Sequence, residues 1–375
     1  MKTVLHFIKK EFQQFKRDPK MFAVALVAPI LQSIILGYAA NLDLNNVNIS
    51  VYNQDKSKLS RDYVERFTES GYFTVKDYVD NYDALSGDIG SGKTVIGIVI
   101  PHDFEKDIQN NRPSDIQVIV DGSDGNKGSI AFGYVQGVTS SFSQAIVLNK
   151  MQKSGMNTAV GSIIPEVRVW YNPDLKTRVF MVPAISALIL MLITTLLTSL
   201  AIVKEKELGT LEQLIVTPIK PWQMILGKLI PFIIIGFGTM FVVNAVMIFW
   251  FGIPIRGSFW FLLLASFLFI LSTLGLGLFN STISKTQQQA MMFTVFVVIM
   301  PMVYLSGFAF PIENMPKIIQ YITYVIPLRY FIIILRGVVL KGIGFAELWP
   351  ETLILFLMGI LILFFSALRF HKRLE

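Results

Sequence analysis

KELGTLEQLIVTP, Lys206 to Pro218, separates two strongly apolar segments, one ending near Val203 and the next beginning near Met224. A charged, helix-favouring stretch between two membrane spans must lie outside the bilayer, because ionised side chains are costly in the hydrocarbon core. With Lys204 and Glu205 just ahead of it, the stretch carries Lys206, Glu207 and Glu212, a Gly209-Thr210 pair suited to capping a helix, and a Thr217-Pro218 stop. It reads as a short helix held against the membrane and displayed to a partner.

The rest of the chain supplies that membrane. Of 375 residues, 53% are hydrophobic and 16% charged, with mean hydropathy +0.55. Soluble domains lie nearer a quarter charged. The apolar excess is uneven, which describes a membrane protein with a polar insert. The net charge of +7 comes from basic residues clustered beside apolar spans. That pattern points to membrane orientation rather than to nucleic acid. There is no cysteine, so disulfides and thiolate metal sites are excluded. His6, His102 and His371 fall in different segments, and no metal site is expected from them.

A bilayer core needs about 20 apolar residues per helix. The candidates are 21–40, 179–203, 224–251, 259–283, 288–310 and 349–369. The first is preceded by mixed residues 1–20, unlike a cleavable signal, and Val4, Leu5, Ile8, Phe12 and Phe15 share one helical face. An amphipathic helix lying in the interface is expected there. Residues 313–340 are apolar but broken by Pro316, Pro327, Arg329, Arg336 and Lys341, and read as two short helices dipping into or lying on the outer face. The expected fold is an α-helical membrane protein of six spans with an N-terminal amphipathic helix. Its domains are 1–20, the first span 21–40, an inserted extracytoplasmic α/β domain 41–178, and spans two to six in 179–375.

Short-loop Lys and Arg set the orientation. Lys2, Lys9, Lys10, Lys16, Arg17 and Lys20 precede span one; Lys204, Lys206, Lys220 and Lys228 follow span two; Arg369, Lys372 and Arg373 follow span six. Six spans put all three groups on one side, the cytoplasm, with 41–178 outside. Against the rule stand four basic residues in the outer loop 311–348. Within 41–178, β-branched runs at Val47–Tyr52, Phe73–Val79, Thr94–Ile100, Ile116–Val120 and Val167–Tyr171 alternate with helix-like stretches at Ser57–Glu69, Asn81–Leu85, Asp103–Asn110 and Asn126–Lys153. One mixed sheet with helices follows.

Gly87–Thr94, GDIGSGKT, fits the phosphate-loop spacing. The chemistry needs a strand before the loop and a helix after it. Here VIGIVIP follows as a strand, so the stretch is expected to be a Gly-rich turn and nucleotide binding at Lys93 is not. Apart from Glu351 at the edge of the sixth, the six candidate spans hold no acidic residue, whereas ion-coupled carriers need such relays. Gln32 and Asn244 are polar groups for helix packing. Gly236, Gly238, Gly275 and Gly277 read as close packing or as hinges. In KTQQQA, Lys285–Ala290, the residues Gln287, Gln288 and Gln289 are either a solvated turn or a second contact for the cytoplasmic partner. A coupling segment with no motor in the chain points to a transporter driven by another subunit.

The chain resembles bacterial ABC type-2 exporter permeases, in the branch with a large extracytoplasmic domain after the first span. The resemblance covers the whole length. It rests on KEKELGTLEQLIVTP (Lys204–Pro218), PWQMILGKLIP (Pro221–Pro231), STISKTQQQA (Ser281–Ala290), LSGFAFPIENMP (Leu305–Pro316), IPLRYF (Ile326–Phe331) and WYNPDLKTRVFMVP (Trp170–Pro183), in that family's order. It implies a non-catalytic permease that pairs with a second, identical or similar permease and with two cytoplasmic ATPase domains. ATP and Mg belong to the ATPase, and this chain binds no cofactor. The cargo would be hydrophobic or amphipathic, drawn from the cytoplasm or inner leaflet of a bacterial inner membrane. The N-terminal helix would be the elbow helix. Residues 205–217 would be the coupling helix, with Glu205, Glu207, Gly209, Thr210, Leu211, Glu212, Gln213, Leu214, Thr217 and Pro218 as its contacts. Glu205 and Glu207 match the family's paired acidic positions. The re-entrant helices, 313–336, would shape the exit, with Ser306, Gly307, Pro311, Glu313 and Pro316 as the outer gate. The rival readings are an ion-coupled carrier, against which the lack of intramembrane carboxylates argues, and a membrane-anchored sensor or assembly protein, which would leave the coupling segment unexplained.

Overall fold

This computed structural model describes residues 2–40, 46–153, 170–172, 176–210 and 221–371. The chain divides into two compact units, Leu42–Val167 and the remainder, Met1–Asn41 with Arg168–Glu375.

The membrane unit begins with α1, Lys2–Arg17, whose apolar face includes the buried Phe7. Helix α2, Ala23–Ala39, continues without a break from helical Pro19–Phe22.

The smaller unit opens with β1, Val47–Asn53, followed by α3, Lys58–Glu69, and β2, Phe73–Tyr78. Next come α4, Tyr82–Gly90, β3, Ile96–Ile100, α5, Phe104–Gln109, β4, Gln117–Val120, and α6, Gly125–Lys153. The sheet order is β2-β1-β3-β4; β1 runs parallel to both β2 and β3, and β4 is antiparallel to β3. All five residues of β3 are buried, as a strand covered on both faces requires. Helices α3 and α6 pack over the sheet through Tyr63, Phe67 and Phe142, and the Tyr63 hydroxyl meets Thr139 Oγ1 at 2.8 Å. Ser57 and Asn81 cap α3 and α4 by accepting backbone N–H bonds. Two sequence expectations change here. Helix α4 runs on to Gly90, taking in half of the expected Gly-rich turn. The fifth apolar run does not extend the sheet at its described end, where Trp170 and Tyr171 are irregular and Tyr171 has φ +71°; Val167–Val169 lie outside the described residues.

The spans that follow are α7, Thr177–Glu207, α8, Trp222–Trp250, α9, Phe259–Ile283, α10, Gln287–Leu305, and α13, Phe345–Phe370. Between the last two lie α11, Lys317–Thr323, and α12, Pro327–Lys341, bent by 81° at their junction. Among the described residues five helices are long and apolar enough to cross a bilayer, and the bent pair makes up to six; α2 is shorter. Helices α7 and α9 form the centre, each 72% buried over its apolar window, whereas α10 and α13 are 22% buried. Hydroxyls stitch the apolar interior: Thr194 donates to Thr273 Oγ1 at 2.7 Å, Ser366 to the Gly275 carbonyl at 2.8 Å, and Thr239 to the Ala25 carbonyl at 3.0 Å. Gly275 and Gly277 sit in tight contact: a Cβ on Gly277 would come within 2.7 Å of the Thr195 carbonyl oxygen, and one on Gly275 within 2.8 Å of Ile362. A Cβ on Gly238 would meet only Leu26, at 4.0 Å.

Candidate functional site

The C-terminal end of α7 is where the sequence places the coupling segment. Leu208 closes the helix and Gly209 follows with φ +69°, a left-handed stop that glycine takes without strain. Thr210 donates its hydroxyl back to the Glu205 carbonyl at 3.1 Å. Leu211, Glu212, Gln213, Leu214, Thr217 and Pro218 lie outside the described residues.

The two acidic residues at this end differ in environment. Glu205 points inward. Its side chain is 8% exposed, one carboxylate oxygen accepts from Lys10 at 2.6 Å, and the other accepts from Lys228. Lys228, on α8, is 2% exposed and also faces Glu11 of α1 at 3.4 Å. Two cations and two anions thus join α1, α7 and α8 in a neutral, mostly buried cluster. Beside it Lys204 donates to Asp18 at 2.9 Å. Lys228 is therefore not a loop cation, as its place in the basic count supposed, but part of a span's packed start. A cavity of about 570 Å³ opens next to the cluster, lined by Lys10, Glu11, Asp18, Lys204, Glu205 and Thr210 among others.

Glu207 faces the other way. Its carboxylate accepts from Gln287 Nε2 at 2.7 Å and from the Gln287 backbone N–H at 3.4 Å. The turn that supplies Gln287 is capped by Thr286, which accepts from Gln289 N–H, while Gln289 accepts from Lys285 N–H at 2.9 Å. Lys206 donates to the Ser284 carbonyl at 2.9 Å. The two segments singled out in the sequence, Lys206–Pro218 and Lys285–Ala290, are thus neighbours: Glu207 and Gln287 meet directly. Gln288 is exposed and has no side-chain bond of this kind among the described residues.

At the other end of α7, the five outer residues fall on one connection between α10 and α12. Gly307, with φ +78°, turns its carbonyl to Arg336 at 3.4 Å. Ser306 is buried, Pro311 caps a single 3-10 turn, Ile312–Asn314, that contains Glu313, and Pro316 caps the start of α11.

In the smaller unit, Lys93 of the phosphate-loop lookalike is engaged by Asp77 at 2.5 Å and Asp88 at 3.2 Å. Helix α4 precedes it and β3 follows, the reverse of the order that aims a helix N-terminus at phosphate. The Ser50 hydroxyl, donating at 2.8 Å, and Lys93 hold the Asp88 carboxyl below the usual carboxylate range, against a smaller opposing push from burial.

Sequence reasoning missed Lys10, Glu11 and Lys228 as a set. The signals were present: Glu11 is the one acid in α1, and Lys228 interrupts the apolar PWQMILGKLIP.

The sequence profile of the ABC-2 family transporter proteins matches residues 19–368. The chain belongs to the ABC-2 family. It is 34% identical over 367 residues to the probable multidrug ABC transporter permease YbhS of Escherichia coli K12, covering 98% of this chain and 96% of the relative. It is 32% identical over 351 residues to the probable multidrug ABC transporter permease YbhR of the same strain, covering 92% and 93%. The inner membrane transport permease YhhJ is 28% identical over 336 residues, with 88% and 86% covered. This ABC-2 chain is accordingly a multi-pass permease subunit of an ABC transporter, its non-catalytic transmembrane component, and an ATPase partner is implied.

Proposed function

We propose that this permease exports a hydrophobic or amphipathic compound, drug-like or lipid, driven by a cytoplasmic ATPase dimer that holds ATP and Mg and docks on residues 205–217. The observation that carries this reading is the Glu207–Gln287 pair, which ties the start of the coupling segment to the Lys285–Ala290 turn. A push on one is then felt by both. The buried cluster of Lys10, Glu11, Glu205 and Lys228 supports it, since it fastens α7 to α1 and α8 at the same end. In this reading Glu205 transmits motion from inside the bundle, and Glu207, Gly209 and the residues after them meet the ATPase.

The basic residues at this end favour a cytoplasmic position for it and both termini, with residues 41–178 outside a bacterial cytoplasmic membrane. The sparsely buried faces of α10 and α13 suit lipid and a second permease, identical or similar. The multidrug naming of YbhS and YbhR favours a small amphipathic cargo entering from the inner leaflet. Ser306, Gly307, Pro311, Glu313 and Pro316 would line its exit.

Glu207→Lys and Gly209→Pro are the test. Both are expected to abolish ATP-driven export in reconstituted vesicles while insertion and fold stay at wild-type levels. Full export by either variant removes the coupling assignment. Export that collapses with an ionophore and ignores loss of the ATPase would replace it with an ion-coupled carrier.

A further inference from the structure

The end of the membrane unit remote from Glu205 carries positive charge that the transport reading leaves unused. Between Pro311 and Gly342 the chain has four cations, Lys317, Arg329, Arg336 and Lys341, and one acid, Glu313. Arg329 and Arg336 are seven residues apart on α12, so two helical turns set them on one face, about 10 Å apart along the axis. Ile333 lies between them on that face and is 39% exposed.

Both guanidiniums are held by neutral groups. Arg329 donates to Thr323 Oγ1 and lies 4.2 Å from the centre of the Tyr324 ring. Arg336 donates Nε to the Phe180 carbonyl at 3.3 Å and Nη1 to the Gly307 carbonyl at 3.4 Å, and lies 3.5 Å over the Phe180 ring. Among the described residues neither has a carboxylate at ion-pair distance. Arg329 Nε and Arg336 Nη2 are sealed from solvent with no acceptor. Glu351, near the start of α13, has one carboxylate oxygen without a partner and forms no ion pair with either arginine among the described residues, although its charge reaches Tyr330 beside Arg329. Ring faces and carbonyls orient a guanidinium but leave its charge uncompensated. What such a fork recognises is an anion with paired oxygens. Phe180, Ile333 and Tyr324, all exposed, offer apolar surface for a tail beside it.

We propose that Arg329 and Arg336 form a binding site for the anionic head of an amphiphile, a phosphate or sulfonate on an apolar chain, at this end of the membrane unit. The head exchanges bilayer water for the two guanidiniums, and the tail stays against the aromatic rings. The same chemistry has two sources, a resident membrane lipid or the exported compound itself. Only the second rests on the export reading.

Two measurements on the full chain separate them. In the first, native mass spectrometry counts lipid retained by the permease released from vesicles of mixed phosphatidylglycerol and phosphatidylcholine. In the second, ATP hydrolysis by the permease–ATPase complex is titrated with dodecyl phosphate against dodecanol. The variants are R329Q, R336Q, the double R329Q/R336Q and the charge-preserving R329K/R336K. The expected result is about a tenfold loss of anion preference in the double Gln variant, with the Lys pair retaining most of it, as loss of a charge-assisted hydrogen bond dictates. Loss confined to phosphatidylglycerol assigns the site to lipid, and loss confined to dodecyl phosphate assigns it to cargo. Unchanged preference in both measurements, in a double variant inserted at wild-type level, overturns the site. Should that variant fail to insert, R329Q alone decides, since among the described residues Arg329 meets Thr323 and the Tyr324 and Tyr330 rings, all within its own helix pair. Failure of the export reading registers elsewhere, as undiminished export by Glu207→Lys, and leaves the lipid measurement standing.

Discussion

Lys228 is 2% exposed and faces two carboxylates that are themselves nearly buried. Charges withdrawn from water are tolerated when each has a partner, and removing one partner leaves the rest uncompensated. Lys228→Met is therefore expected to destabilise the permease by about 3 kcal/mol, read as a lower thermal midpoint in detergent. Pairing it with Glu205→Met restores the charge balance and should recover much of that loss, because an apolar pair of similar size avoids the desolvation cost. A midpoint unmoved by Lys228→Met would mean that the cluster carries no net stability. Asp88 makes a different case, at the surface of the inserted unit. Its carboxyl is held below the ordinary value of 3.8 by the Ser50 hydroxyl first and by Lys93. A folded-state value lower than the unfolded one gives stability that is present above pH 3.8 and drains away as pH falls through the folded value. Acidification into that window should lower the unit's melting midpoint in the wild type and lower it less in Asp88→Asn, which starts from a reduced midpoint at neutral pH. Parallel acid profiles would show that the Ser50–Asp88–Lys93 contacts do not titrate with folding.

Among the elements, the seam between α7 and α9 brings backbone against backbone, with Gly277 set against the Thr195 carbonyl. Adding one methyl there forces backbone apart, since the nearest atom belongs to a helix and not to a flexible side chain. Gly277→Ala should cost about 1–3 kcal/mol and lower the midpoint, whereas Gly87→Ala, with nothing within 4 Å of its added Cβ, should not. This seam also shows what the sequence could reveal. The five long spans were legible because 20-residue apolar runs have few other uses. The strands β1 to β4 were legible as β-branched runs between polar helices. Gly275 and Gly277 stood open between packing and hinge, and only the neighbouring helix decides. The separate signals of the Glu205 cluster could not be joined for the same reason: Lys10 and Glu205 are 195 residues apart, and Lys228 and Glu11 are 217 apart. Helix α4 overran its expected end because Gly87 and Gly90 lie in open space, where a glycine weakens a helix without stopping it.

At the scale of the whole chain, α7 is the link between the two candidate sites. It runs from Phe180, which carries Arg336, to Glu205, which carries the buried cluster, a rise of about 38 Å at helical pitch. That length spans a bilayer, so the coupling end and the arginine end must face opposite compartments if α7 crosses once. Sidedness is then a single choice for the membrane unit: cytoplasm at Glu207 means that the arginines are outside, and the proposed topology expects residues 41–178 there too. The chain offers a clean way to read it, because it contains no cysteine and any introduced thiol is unique. Ser91→Cys in the inserted unit and Ile318→Cys on α11, which is 77% exposed, should react with a membrane-impermeant maleimide in intact cells. Leu208→Cys, 67% exposed at the coupling end, should react only after the membrane is opened. Equal labelling of positions 208 and 318 in intact cells would break the single crossing of α7. Labelling of 208 alone would invert the permease, detach the coupling segment from any cytoplasmic ATPase and leave the arginine pair facing the inner leaflet.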